Sequence, residues 1–396
     1  MQPVDLYYDQ WDVEIEADPY PVYRRLRDEA PLYHNEAHDF WVLSRFADVE
    51  AALKDHGRLS SAKGDLLEVI KADPLMPPMV FINEDPPAHT IHRRLASRMF
   101  TPRRVGELED KVRAFCTAAL DPLVGCDEFD FVQDFGAELP MRTIGMLVGL
   151  PDSDQPALRS QAQRNLRNAP GTPLKVNKDH YFDGEMFREY VDWRAAHPSD
   201  DLITDLLTVE FDDEHGVHRR LTKEEILIFM AVVAGAGVDT TSRMFGWMGK
   251  LVGEHPDQRR ALVADPALIP NAVEELIRIE PPGPRVARYV TTEVEFHGRT
   301  VPAGAVIVLL LASANHDERE FSDPERFDIH RRIGHHLAFG YGAHVCIGAA
   351  LARLEARVAL EEVLRRFPDW EPDMERAVRA RSSTVRGWHS LPVRVG

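Results

Sequence analysis

Residues 336–348 read His336-Leu-Ala-Phe339-Gly340-Tyr341-Gly342-Ala343-His344-Val345-Cys346-Ile347-Gly348. A single cysteine stands here with two glycines before it and one after. Ala349-Ala350-Leu351-Ala352-Arg353 follow, and all are good helix formers. Glycine adopts positive φ and lets the backbone approach a flat ligand. A cysteine at the head of a helix meets free N–H groups and the positive end of the helix dipole, which stabilise a thiolate, a soft metal ligand. A lone cysteine is more often a small buried hydrophobe. Cys116 and Cys126 have no comparable surroundings and read as structural.

The pattern Phe339-Gly340-x-Gly342-x-His344-x-Cys346-x-Gly348 resembles the signature of the cytochrome P-450 family at every motif position, with Ile347 where many relatives have Leu. The resemblance implies a mainly α fold with a small β region, the cytochrome P-450 fold. Its haem b (iron protoporphyrin IX) is buried between a long central helix and the helix after the cysteine loop. Cys346 is then the axial ligand to iron, with Phe339 and Gly340 against the cofactor. Thiolate ligation pushes electron density toward O–O cleavage in this family.

Other motifs carry the same resemblance along the chain. Asp85-Pro86-Pro87-Ala88-His89-Thr90-Ile91-His92-Arg93 places His89 and Arg93 four apart, on one helix face. Alone, the segment reads as a solvated basic face; by resemblance the pair holds haem propionates, with Arg288 and His344. Arg285 competes with Arg288 for that role. Glu275-Leu276-Ile277-Arg278 shares one face in the same way. The resemblance joins this pair to Arg326 of Pro324-Glu325-Arg326-Phe327 in a buried structural network. Ala236-Gly237-Val238-Asp239-Thr240-Thr241 lies in a long apolar segment. Alone it allows a threonine bonded back to a carbonyl and an aspartate capping a kink. By resemblance it is the oxygen-activation motif: Ala236 meets the cofactor, the glycine opens the helix, and Thr240 and Asp239 handle dioxygen and its protons.

The 396-residue chain is 44% hydrophobic, enough to enclose a ligand pocket, and carries a formal charge of -18. Such an acidic chain is a poor candidate for nucleic-acid binding, which needs a positive field. Three cysteines do not describe a disulfide framework, so a reducing cytoplasm is expected. The acidic N-terminus does not read as a signal peptide. The longest strongly apolar run, residues 226–238, is too short to cross a bilayer, so no membrane anchor is expected.

Helices are expected at 21–28, from Phe46, over most of 89–205, from the capping box Thr222-Lys223-Glu224-Glu225 to about Glu254, from Pro270 to Pro281, and from Cys346 to about Phe367. Strands are expected at 32–34, 40–42, 294–296 and 305–311, with a hairpin in the tail 382–395. Residues 60–87 read as a long loop with at most a short helix. Nothing separates the chain into halves, so 1–396 is expected to be a single domain.

The activity implied is mono-oxygenation of a small hydrophobic substrate with dioxygen. Two rivals are a peroxide-driven peroxygenase on the same fold and a haem-binding sensor or carrier. Retention of Asp239-Thr240 argues against the first. Pocket residues implied by resemblance are Val232, Ala236, Val286, Ala287, Thr384 and Val385, with the 66–82 loop including Met76, Met79 and Phe81. Arg285 would bind a substrate carboxylate if it points inward, and otherwise reads as a surface arginine. No flavin or iron–sulfur segment is recognisable, so electrons are expected from a ferredoxin and ferredoxin reductase, with the enzyme a monomer. Two basic clusters offer a docking face: Arg94, Arg98, Arg103 and Arg104, and Arg331, Arg332, His335 and Arg353.

Overall fold

The computed structural model describes residues 6–72, 80–156, 160, 168–169, 171–175, 184–380, 382 and 384–396. Its centre is the helix Lys223–Glu254, 32 residues long. Thr222 caps it as a complete capping box: its hydroxyl accepts from Glu225 N, and the Glu225 carboxylate accepts from Thr222 N at 2.7 Å. Apolar side chains on most of its faces require burial all round, and the fold provides it. The helices Glu138–Leu147 and Ala349–Arg366, the turn Phe131–Gly136 and the C-terminal strands all pack against it. By length and composition this helix would cross a bilayer, contrary to the short span inferred from 226–238. Yet 72% of its most apolar window is buried inside the protein, which identifies it as a core helix.

A five-stranded sheet lies beside the helical body in the spatial order Leu32–Asn35, Phe40–Leu43, Val306–Leu309, Val286–Val290, Leu59–Ser60. Ile307 sits opposite Trp41 in the parallel pair and opposite Arg288 in the antiparallel pair. Val306-Ile307-Val308-Leu309 is buried throughout, as a strand covered on both faces must be. This sheet fixes the register of Val286 to Arg288, which matters for the site.

The helices Tyr20–Glu29, Phe46–Lys54, Ile269–Ile279 and Ala349–Arg366 lie where the sequence places them, within a few residues. The last begins three residues after Cys346, which sits in the approach to the helix and not on it. The 60–87 stretch contains the short helix Leu67–Ile70, and its residues 73–79, with Met76 and Met79, lie outside the described residues. The tail is not one hairpin. Trp388–Ser390 pairs with Val378–Arg379, while Pro392–Val395 pairs with Trp370–Pro372 and Glu128–Asp130. Long-range partners drew the two strands apart, and local turn signals do not report such partners.

Candidate active site

The cysteine loop is built on backbone turns that need its glycines. Gly340 and Gly342 have φ of 70° and 71°. A Cβ at Gly342 would lie 2.8 Å from the carbonyl oxygen of Leu53, so no other residue fits without displacing the Phe46–Lys54 helix. Cys346 N donates to Phe339 O at 2.8 Å, closing the loop. Arg353, one turn into the following helix, lies 4.6 Å above the Phe339 ring and makes a bidentate pair with Glu274. Cys346 is open to an internal cavity but enclosed by protein. Burial pushes its thiol up, while the Gly348 N–H and the charges of Arg93 and Arg353 act the other way.

Beneath the loop lies a buried ion network. Glu275 and Arg278 are fully buried, and their bidentate bonds measure 2.6 and 2.9 Å. Arg278 also donates to the carbonyls of Asn315 and Pro324. Asn315 Oδ1 in turn accepts from Leu337 N, at the start of the cysteine loop. The third member is Arg331, not Arg326. Arg331 Nε reaches Glu275 Oε1 at 2.9 Å, and its remaining N–H groups bond the carbonyls of Ser322, Asp323 and Arg326. Arg326 is exposed and contributes only its carbonyl. The turn through Asp328 reverses the chain, so the arginine after it returns to the glutamate.

The cavity measures about 340 Å³. Cys346 and Gly348 of the cysteine loop line it together with Ala236, Gly237 and Thr240 of the long helix and with Val232, Val233, Val286, Leu311, Phe81 and Ile82. The long helix passes through 236–241 without a break. Gly237 leaves the helix continuous. Its missing side chain admits Ile144, whose Cδ1 would lie 2.5 Å from a Cβ there. Thr240 faces the cavity and its hydroxyl donates to Ala236 O at 2.7 Å. Asp239 does not enter the cavity wall. It is buried and accepts from Arg243 at 2.6 Å, and Arg243 is itself anchored on Trp388 O.

His89, Arg93, Arg288 and His344 gather beside the cysteine. The His89 and His344 rings lie 4.1 Å apart. Both nitrogens of His89 and Nε2 of His344 are buried without a partner among the described residues. Burial, reinforced by neighbouring cationic groups, presses His89 to about 4 and His344 to about 3. Arg288 is buried and donates to Ala287 O, and burial lowers its pKa too. Buried imidazole nitrogens without partners, beside Arg93 and an Arg288 whose charged neighbours are Asp65 and Asp85, describe a site for a ligand bearing carboxylates. A thiol facing the same cavity adds a soft metal ligand. This donor set fits iron protoporphyrin with its two propionates.

Several expected pocket residues lie elsewhere. Ala287 and Thr384 line a separate cavity of about 10 Å³, and Val385 another of about 20 Å³. Arg285 borders all three cavities and is enclosed by protein, so it is not the surface arginine of the alternative reading. Its guanidinium donates to Gln10 O at 3.3 Å and lies in the fields of Tyr8, Tyr23, Glu68 and Glu16. Arg288 lines only the large cavity and Ala287 only the smallest one, as strand alternation places them on opposite faces, while Val286 borders both.

Two cavity residues, Glu355 and Asp65, escaped the sequence reading, while Phe81 lines the cavity as expected. Glu355, on the cysteine helix, is buried; burial holds its carboxyl at about 8, and Thr143 is the hydrogen-bonding side chain beside it. Its spacing from Cys346 was visible, but its burial was not. Asp65 lies in the cavity wall, and Phe81 enters it with φ of 54°.

A family model described as "Cytochrome P450" matches residues 179–393. "Putative cytochrome P450 123" of Mycobacterium tuberculosis is 39% identical over 99% of this chain and 97% of its own length. "Vitamin D(3) 25-hydroxylase" of Pseudonocardia autotrophica is 33% identical over 96% of this chain and 94% of its own. Among solved structures, a mutant of P450 EryK in complex with erythromycin B superposes with a TM-score of 0.86 at 31% identity. That match covers 97% of this chain and 98% of the other.

Proposed function

This chain belongs to the cytochrome P450 family of haem-thiolate mono-oxygenases, which bind haem b, and we propose that it hydroxylates a hydrophobic small molecule using electrons from an external ferredoxin-type donor. The observation that carries this reading is one cavity lined by both Cys346 and Thr240, with mostly apolar side chains around the remainder. The names of similar proteins, a vitamin D(3) hydroxylase and a macrolide-bound P450, support a bulky apolar substrate.

Cys346 Sγ would ligate the iron, and His89, Arg93, Arg288 and His344 would receive the propionates. When bound, the haem supplies dioxygen activation and oxygen transfer to carbon. Val232, Val286, Leu311 and Phe81 exclude water and orient the substrate by shape. Thr240 Oγ1 offers a hydroxyl proton into the cavity. That proton now bonds Ala236 O, so rotation about the Cβ–Oγ1 bond would be needed to turn it from the helix to a ligand. Asp239 holds a negative charge against Arg243 behind that hydroxyl. It relays protons only after loosening this pair, which makes Arg243 a positioning residue. Glu355 holds a proton on its carboxyl at neutral pH, at the edge of the same cavity.

The test is spectroscopic. Reduced protein under carbon monoxide is expected to show the red-shifted Soret band of a thiolate ligand. Cys346→Ala should abolish it, and Cys116→Ala and Cys126→Ala should keep it. A band surviving in the Cys346 variant sinks the assignment. Hydrophobic compounds should then perturb the Soret band of the oxidised holoenzyme; none doing so across a broad panel removes the substrate reading.

A further inference from the structure

The cavity is walled mainly by apolar side chains, so each charge at its border needs an account. Arg288 and His344 belong to the propionate cluster, Glu355 is kept protonated by burial, and Arg285 turns toward Gln10. Asp65 remains.

Its position is rigidly set. Gly64 before it has φ of 130°, and a Cβ there would lie 2.6 Å from Val69 Cγ1. The carbonyl of Asp65 accepts from Ala287 N at 2.7 Å, which ties it to the strand that carries Val286 and Arg288. Its carboxyl has one charged neighbour in range, the Arg288 guanidinium. The only hydrogen bond recorded to it among the described residues comes from its own backbone N–H. The neighbouring acid, Asp85, is by contrast fully engaged, accepting from Ser60 Oγ at 2.5 Å and from Ser61 N at 2.9 Å. Burial raises the pKa of the Asp65 carboxyl and Arg288 opposes this; a bound propionate sharing Arg288 would draw that compensating charge away. A carboxylate in a largely apolar cavity then favours a cationic partner, and a chain of net charge -18 attracts cations from solution.

We propose that the substrate of this pocket is an amphiphilic cation, a hydrophobic skeleton bearing a protonated amine that pairs with Asp65. This rests on the reading of the cavity as the site of hydroxylation. Asp65 receives the ammonium group, and the apolar skeleton extends toward Ala236 and Thr240. The amine sets orientation, and with it which carbon is presented for oxidation.

The test uses three probes of equal chain length on the oxidised holoenzyme: N,N-dimethyldodecylamine, dodecan-1-ol and dodecanoate. The tertiary amine is too crowded to ligate iron readily. Soret titrations at neutral pH are expected to give the amine a Kd about tenfold below that of the alcohol, with the acid weakest. Raising salt should narrow the gap little, because the pair is enclosed. Asp65→Asn should bring the amine to the alcohol's affinity while leaving the alcohol unchanged, and Asp65→Glu should keep the preference. Haem content and the carbon monoxide band of both variants report whether the site is intact. Equal affinities of amine and alcohol in the wild type, or a preference that survives Asp65→Asn, overturn the inference and leave the hydrophobic-pocket reading standing. No spectral response to any of the three overturns the inference, and silence across the broader hydrophobic panel overturns the pocket reading as well.

Discussion

Single residues at this site are governed by what burial does to charge. Glu355 shows it most directly. Its folded pKa of about 8 lies above the unfolded value of a glutamate, so the folded state binds the proton more tightly. Stability from this group is therefore present at low pH and lost as pH rises from about 4 to about 8. Glu355→Gln removes the titration. The variant should match the wild type near pH 5 and exceed it at pH 8, by up to about 3 kcal/mol in denaturant unfolding. A stability difference that does not grow with pH would show that Glu355 is ionised in the fold. The Glu275 network makes a second residue-scale prediction. Glu275→Ala strands two arginines, one of them fully buried, and should cost ~3–5 kcal/mol. Arg331→Ala should also be strongly destabilising, whereas exposed Arg326→Ala should fall within about 0.5 kcal/mol of wild type. Equal losses from Arg326 and Arg331 would refute the exchange of roles.

At the scale of elements, a clamp joins the loop over the pocket to the Ala88–Ser97 helix. Phe81 is a bulky residue with positive φ, a conformation that costs energy unless neighbours impose it. Its N–H donates to Glu84 Oε2 at 2.9 Å, and Glu84 is gripped by His92 Nδ1 at 2.8 Å. The Phe81 ring packs 5.3 Å from Phe229 on the long helix. Burial opposes a charged His92. The hydrogen bond and charge of Glu84, with Glu225 beyond it, outweigh both that and the nearby Arg219, so its pKa is raised. A raised histidine pKa contributes stability below the unfolded value, near 6.5, that is lost as pH climbs through the folded one. His92→Leu should therefore lower Tm more at pH 5.5 than at pH 8.5. Ligand spectra of the variant should weaken with haem content preserved, because Phe81 loses its support. A pH-independent Tm difference would count against a charged clamp. The capping box at Thr222 and the Glu275–Arg278 spacing were legible in sequence, since each lies within a turn of one helix. The clamp was not, because it joins an irregular loop to two helices.

For the whole molecule, surface charge decides how an electron donor meets a chain of charge -18. The fold rewrites the two basic clusters. Arg331 is drawn into the Glu275 network, Arg353 is committed to Glu274, and Arg103 and Arg104 pair with Glu107 and Asp200. Arg94 and Arg98, both exposed on or just after the helix that carries His89 and Arg93, remain available for docking. Reduction by an acidic ferredoxin should slow as ionic strength rises, since screening acts over about 10 Å at 0.1 M. Arg94→Glu with Arg98→Glu should slow it several-fold with substrate spectra intact. Reduction rates indifferent to both salt and charge reversal would place docking elsewhere.

What the chain spells out locally, it determines by itself. The glycines around Cys346, the Thr222 capping box and the Glu275–Arg278 pair lie within one loop or one helical turn, where spacing alone sets geometry. From these follow the thiolate site, the central helix and the family. The tertiary structure decided the remainder: that Arg331 and not Arg326 meets Glu275, that Asp239 faces Arg243 and not the cavity, that Arg285 turns to Gln10, and that Asp65 and Glu355 enter the pocket wall. Each depends on which segments, far apart in sequence, are pressed together, and on how much water that contact removes from a charged group. Spacing along the chain carries neither quantity.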